Sequence, residues 1–255
     1  MEIFIDLGIP ALGLIAIAIG LSAWEKLGLE WHLTLAASRT IIQLLGVGYI
    51  LALVFALNNP WAVLAILGLM LTVATIVSRN RISKKIPRLL PLVAGSLLIS
   101  TILTLSYTTL FIIKPEIWYK PEYIIPFGGI VLGNAMNSAA LAGERLVSTI
   151  RASQLEIETH LSLGATPEES IAQYRKDAIK AALIPTLNQM MVIGIVTLPG
   201  TITGQLLGNI NPIQAAAYQM IIMFMVAFAS IITTILLTKG IYRQFFTAES
   251  QLIRY

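Results

Sequence analysis

Apolar residues run through this chain in long unbroken blocks. They do not alternate as in a half-buried strand, and they do not recur every three or four residues as in a surface helix. Blocks of 17 or more residues bounded by charged or turn-forming positions cover 4–23, 40–57, 61–77, 89–113, 123–142, 182–198 and 213–238. A bilayer core is about 30 Å thick and takes about 20 helical residues to cross. The pattern therefore predicts an all-α, polytopic integral membrane protein with about seven transmembrane helices. The first block stops at Trp24-Glu25-Lys26, and the second follows Arg39 and ends at Asn58-Asn59-Pro60. The stretch from Pro199 to Pro212 reads as a loop, a re-entrant turn or the continuation of the sixth helix. The whole of 1–255 is expected to form one transmembrane domain, with 143–181 as its only large soluble segment.

Composition supports this reading. Of 255 residues, 56% are hydrophobic and 12% charged, with mean hydropathy +0.81. Soluble domains carry about 25% charged residues. Half of that cannot cover a water-soluble globule, which argues against a soluble enzyme or a nucleic-acid-binding domain. Cysteine is absent, so there is no disulfide framework, thiolate nucleophile or cysteine metal site.

The net charge of +4 matters less than its placement. Loops 24–39, 78–88, 143–181 and 239–255 hold two, five, five and three Lys or Arg. The alternate loops hold only Lys114 and Lys120. Fifteen against two follows the positive-inside bias and predicts an outside N-terminus and a cytoplasmic C-terminus in the inner (plasma) membrane. The loop 78–88 has five bases and no acid, read here as a topology determinant beside anionic lipid rather than a nucleic-acid patch.

Several chemistries are missing. No Gly-Lys dipeptide occurs, so there is no phosphate-binding P-loop. His32 and His160 lie far apart, and no Gly-x-Ser-x-Gly pattern is present. No expected span carries the Asp, Glu or His relay of a proton pump. The chain reads as a transporter subunit and not an enzyme, with energy supplied by another subunit.

The 143–181 segment holds five bases and six acids. Leu146, Ile150, Ile157 and Leu161 continue the fifth helix beyond the membrane at near-helical spacing. Gly164 suits a helix C-terminus. Thr166, Pro167 and Glu169 then suit an N-cap, a first helical position and a capping box, and Glu168 and Glu169 suit the positive helix end. This is either a well-capped connector or an elbow that docks a cytoplasmic partner.

The run Glu156-Ile157-Glu158-Thr159-His160-Leu161-Ser162-Leu163-Gly164-Ala165-Thr166-Pro167-Glu168-Glu169 resembles the coupling segment of ABC-transporter permeases. As in those permeases, an acid, Glu158, lies six residues before a glycine, Gly164. The 21 residues from Gly164 to Pro185 exceed the common importer spacing, which argues against a standard nutrient importer. Further motifs are Pro126 to Asn137 (PFGGIVLGNAMN), Ile184 to Met191 (IPTLNQMM), Leu198 to Gln205 (LPGTITGQ) and Tyr218-Gln219-Met220. Together with the turn they make the chain similar to the FetB-type permease family, an uncharacterised UPF-type membrane family, over essentially its whole length. The resemblance implies a permease that dimerises with a second copy of itself and pairs with a separate ABC ATPase. That subunit would hold ATP and Mg, and this chain would hold no cofactor. The resemblance also implies that Glu156, Glu158, Leu163, Gly164, Ala165, Thr166, Pro167, Glu168 and Glu169 couple to the ATPase. Bacterial members are associated with iron export, and plant members with aluminium tolerance and UDP-glucose transport.

Polar side chains inside hydrocarbon tend to face protein or water. Asn134, Asn137, Asn188, Gln189, Thr201, Gln205 and Gln219 are the candidates here, either as interhelical hydrogen-bonding groups or as a pathway lining. Neutral oxygens suit a hard cation or a sugar hydroxyl, whereas a tight ferrous site would include histidine or carboxylate. Met190, Met191, Met220, Met223 and Met225 read as apolar gap-fillers, with soft-metal binding as the alternative. Gly129 and Gly133, and Gly200, Gly204 and Gly208, recur every four residues and suit close helix approach, with a kink after Pro199 packing at a dimer seam.

The expected function is that of a permease subunit exporting metal, with iron first and a nucleotide-sugar or other polar organic solute second. A mechanotransmission protein would carry a large outside domain, and the longest outside loop, near 114–122, is too short for one. A membrane-embedded enzyme would need a convergent acid/base pair. Reporter fusions test the topology. A C-terminal fluorescent protein should light up in the cytoplasm, and an N-terminal phosphatase should be active only outside. Both ends inside would put the span count out by one.

Overall fold

The computed structural model describes residues 2–57, 59–247 and 250–253, with side chains described from residue 12 onward. The side chains of 4–11, in the first expected span, lie outside the described residues. Among the described residues every regular element is a helix, apart from two isolated β-bridges, with short turns and loops between them. The chain divides into two compact units, 1–58 and 59–255.

The first unit is a helical hairpin of α1 (Glu2–Trp24) and α2 (Glu30–Leu57). Its turn is held by Ser22, whose hydroxyl donates to Glu30 Oε1 (3.0 Å) and accepts from the Leu29 N–H (3.3 Å). Glu30 also suits the positive end of α2. Arg39, expected in a loop, lies inside α2, because the helix starts ten residues before its apolar block.

The second unit contains α3 (Pro60–Ile82), α4 (Leu89–Tyr107), α5 (Pro121–Ala152), α6 (Gln154–Ser162), α7 (Pro167–Val192), α8 (Gly200–Leu207) and α9 (Pro212–Gln244). Asn59 caps α3 by accepting from the Trp61 N–H at 2.9 Å. The helix α4 continues as a π-helical turn over Thr108–Ile113. There the Thr108 and Thr109 hydroxyls donate to the carbonyls of Thr104 and Leu105 at 2.8 Å.

The helix α5 lies at the centre of this unit and packs against α3, α4, α7 and α9. Its inward stripe of Val131, Ala135, Ala139, Ala142, Leu146 and Ile150 is fully buried. Its middle three, Ala135, Ala139 and Ala142, are small, so neighbouring backbones approach closely there. A Cβ on Gly143 would lie 2.6 Å from Ile82 Cδ1, one on Gly128 2.4 Å from Leu67 Cδ2, and one on Gly240 2.0 Å from Leu92 Cδ1. Hydroxyls join the helices as well. Ser78 donates to the Met136 carbonyl at 3.1 Å, and Thr233 donates to Ser100 at 2.6 Å across α4 and α9.

Among the described residues, five helices are long and apolar enough to cross a membrane: Glu30–Leu57, Pro60–Ile82, Leu89–Ile113, Pro121–Ala152 and Pro212–Gln244. The described part of α1, Leu12–Trp24, is a shorter apolar helix. The sixth expected span, 182–198, is not one helix. The helix α7 ends at Val192, and Gly194 (φ 81°) turns the chain back so that its N–H meets the Thr197 carbonyl at 2.9 Å. Residues 182–192 reach about 16 Å at 1.5 Å per residue, roughly half of the hydrocarbon. Of the readings open for 199–212, neither a plain loop nor a continuation of the sixth helix fits. Pro199 is the N-cap of the separate short helix α8.

Ile82 is buried and β-branched, so its helical rotamer cannot easily yield. Gly143→Ala should therefore destabilise the protein by about 1–3 kcal/mol, although alanine favours helix by about 1 kcal/mol. Thermal unfolding in detergent measures this. Gly133→Ala, where a Cβ meets nothing within 4 Å, should leave the melting temperature unchanged or raised.

Candidate functional site: a polar cavity and a capped elbow

The stripe of α5 that carries Glu122, Pro126, Ile130 and Asn134 repeats every four residues. It faces two adjoining cavities bounded by α8 and α9. The inner one, of about 140 Å³, brings together Asn134, Gln189, Thr201 and Gln219. Thr201 donates its hydroxyl to Gln219 Oε1, which ties α8 to α9. Asn134 donates to the Ile130 carbonyl of its own helix at 2.9 Å, leaving its amide oxygen free to face the cavity. The outer cavity, of about 290 Å³, is lined by Thr201 and Gln205 together with Glu122, Tyr123 and Tyr218. Ile130, Thr201 and Ile222 border both.

Five of the seven polar residues singled out in the sequence thus line connected space. Asn137 lies elsewhere on α5, with its Oδ1 3.5 Å from Arg81 Nη1. Asn188 is exposed and lines neither cavity. Glu122 was passed over in the sequence because it reads as the end of a loop. The signal that could have found it is its four-residue register with Asn134. Met190, Met220 and Met223 border a third, mostly apolar cavity of about 320 Å³ beside the Gly194 turn, and Met225 is buried, as gap-fillers would be. Met191 is exposed. Of the patterned glycines, Gly129 would bring a Cβ to 3.3 Å from Met70. Gly133, Gly200 and Gly204 face open space, and Gly208 meets only its own turn.

At the other end of α5 and α7 is the elbow. After α6, Gly164 adopts φ 93°, its N–H donates to the Leu161 carbonyl, and the Ala165 N–H donates to the His160 carbonyl, both at 3.0 Å. This is a Schellman C-cap. The next residue opens a capping box. The Thr166 N–H donates to Glu169 Oε2 at 2.8 Å, and the Glu169 N–H donates to Thr166 Oγ1 at 3.3 Å. Pro167 takes the first helical position of α7. Two caps placed back to back, at Ala165 and Thr166, leave the turn little freedom.

Side chains brace the elbow from both sides. Ile157 of α6 and Ile171 of α7 are fully buried in the common core. The Tyr174 phenol is held above its ordinary pKa by burial and by its hydrogen bond to Glu156. Arg175 approaches Glu168 at 3.7 Å, donates to Thr238 Oγ1 at 3.3 Å and lies 5.9 Å over the Tyr242 ring. It therefore links α7 to α9. Leu163 and Leu155 project outward, 82% and 79% exposed. Glu156, Gly164, Thr166, Glu168 and Glu169 are also exposed, and Glu158 and Ala165 are half-buried.

The profile of the uncharacterised protein family UPF0014 matches residues 4–246. The chain belongs to this family. It is 51% identical to a UPF0014 membrane protein of Synechocystis sp., over 95% of this chain and 93% of that one. It is 32% identical to the "Probable iron export permease protein FetB" of Escherichia coli, over 95% and 92%. It is also 32% identical to the protein ALUMINUM SENSITIVE 3 of Arabidopsis thaliana, over 95% and 87%. No solved structure matches.

The elbow should be sensitive to acid. Hydrogen bonds from the Thr166 main chain and side chain hold the Glu169 carboxyl below its ordinary pKa. A depressed folded pKa gives stability that is present above the unfolded value and lost as pH falls through the folded one. The protection factors of amides at the start of α7, corrected for the intrinsic pH dependence of exchange, should therefore fall as pH drops below about 4.3. Glu169→Gln should exchange faster at neutral pH and lose that acid dependence. Thr166→Ala should cost about 1 kcal/mol of local stability.

Proposed function

We propose that the chain is the membrane permease subunit of an ABC-type transporter that exports a metal ion, with ATP hydrolysed by a separate subunit. One observation carries this reading. The helix α7 runs unbroken from Pro167 in the elbow to Gln189 in the cavity and ends at Val192. A push at the elbow is transmitted along about 39 Å of helix to the wall of the polar space. Arg175 carries the same displacement to α9, which supplies Gln219. The elbow, 156–169, is the contact for the ATPase, with Leu163 and Leu155 as apolar projections beside Glu156 and Glu168. The sequence similarity to ABC coupling segments supports this placement.

The cavity chemistry favours a cation. Among the described residues, the lining of the two cavities includes no Lys or Arg but one carboxylate. A nucleotide-sugar brings a pyrophosphate, for which Arg or Lys is the strong partner; here it would meet only the N-terminus of α8 at Pro199 to Thr201. Amide and hydroxyl oxygens suit transient contact with a hard cation. The Escherichia coli relative, named for iron export, points to iron. A second copy of the chain completes the transporter. Exposed Asn188, Thr197 and Thr203 at membrane depth are costly against lipid and are covered in a homodimer.

Vesicles that hold the permease and its ATPase should move ferrous iron and not UDP-glucose, with the direction set by orientation. Movement of UDP-glucose alone would replace the metal reading. Cysteine at Ala165 or Glu168, in a chain with no natural cysteine, should crosslink to the ATPase. Crosslinks from the 78–88 loop alone would move the contact there. Arg175→Ala should leave basal ATP hydrolysis intact while flux falls, because α7 then moves without α9.

A further inference from the structure

We infer that Glu122, with Gln205, Thr201 and Tyr218, forms a binding site for a hard divalent cation at the end of the cavity away from the elbow. The inference rests on the metal-cargo reading and names a site for it. Glu122 is the one carboxylate lining the outer cavity. Among the described residues, no Lys or Arg pairs with it, and nearby Lys120 has its ammonium 5.7 Å over the Tyr123 ring. Its charge is therefore available to a ligand.

The backbone adds a second acceptor. In a helix the N–H of residue 126 donates to the carbonyl of residue 122. Residue 126 is proline, inside α5, and has no N–H to give. The Glu122 carbonyl thus lacks its helical donor. Across the cavity, α8 presents Thr201 and Gln205 and α9 presents Tyr218. Oxygens are the ligands that hard divalent ions take.

The site is not a closed metal centre. Among the described residues, no three His, Cys, Asp or Glu side chains come together. One full charge and several neutral oxygens bind a passing ion weakly enough to release it. Glu122 and Asn134 are twelve residues apart on one stripe, about 18 Å along the helix. The carboxylate ends a line of neutral oxygens that starts at Asn134 and Gln189. Under the positive-inside orientation, this end faces outward, where an exported ion leaves.

The test uses the full chain with its ATPase in lipid nanodiscs and Mn²⁺ as a paramagnetic probe. Wild-type protein should bind Mn²⁺, and ferrous iron should displace it. Glu122→Gln should weaken binding about tenfold, as loss of a charged ligand does, and Glu122→Asp should weaken it less. Glu116→Gln, an exposed loop carboxylate that lines neither cavity, should bind as wild type. Unchanged elution and melting of each variant exclude a folding defect. Equal binding by wild type and Glu122→Gln, or no binding by wild type, overturns the site. The cargo reading fails separately if wild-type vesicles move UDP-glucose and not iron. Should both hold, Glu122→Gln must also raise the KM for iron flux.

Discussion

From Ala135 to Gly143 the buried residues of α5 are all alanine, glycine or serine, and the close approach this allows sets the rest of the unit. Helices in hydrocarbon gain little from burying apolar area against one another, because lipid is equally apolar. They gain from close van der Waals contact and internal hydrogen bonds. Ala135, Ala139, Ala142 and Gly143 permit the contact, and Ser78 and the Thr233–Ser100 pair supply bonds between helices. Several other buried hydroxyls, such as Thr104, Thr108 and Thr238, return a bond to the carbonyl four residues earlier. That is the local solution available to a helix with no water around it.

A tightly packed α5 leaves the looser packing to α8. That helix packs on α9, while the two cavities separate it from α5. The interruption between α7 and α8 falls where the backbone borders a cavity, the condition under which broken helices are tolerated at membrane depth. The chain reversal and the cavities are therefore gathered at one end of the unit, and the doubly capped elbow lies at the other. The single helix α7, which carries Pro185 within it, joins the two. This division suits a machine in which force enters at the elbow and a binding site opens at the far end. Under the proposed function, the shared α5–α7–α9 packing would make the displacement a rigid-body one, since close-packed helices shift as units and do not deform continuously.

The two caps of the elbow were legible in the sequence, but the helix expected to run from the fifth span to Gly164 is interrupted at Ser153, where α5 ends and α6 begins. Gly164, Thr166, Pro167 and Glu169 act through bonds within five residues of one another, so their order alone specifies the geometry. The long apolar blocks were legible for the same reason, because crossing a membrane is a property of a segment and not of its neighbours. The break at Gly194 was missed because Ile193, Ile195, Val196 and Leu198 are as apolar as any span. Hydropathy does not register a glycine that reverses the chain. The start of α2 was missed for the opposite reason, as helix formation there continues past the apolar block into polar residues.

What the sequence by itself determined was an all-helical membrane chain, its family, and a capped turn at fixed positions. Only the tertiary structure decided which polar residues share a space. Asn134, Gln189, Thr201 and Gln219 come from four helices, and their meeting depends on how α7 and α8 turn around Gly194. Asn137 looked equivalent to Asn134, three residues earlier on the same helix, yet it lies beside Arg81. Glu122 looked like loop and lies on the cavity stripe. Spacing along one helix fixes a face. Which face meets a cavity depends on the packing of all the others.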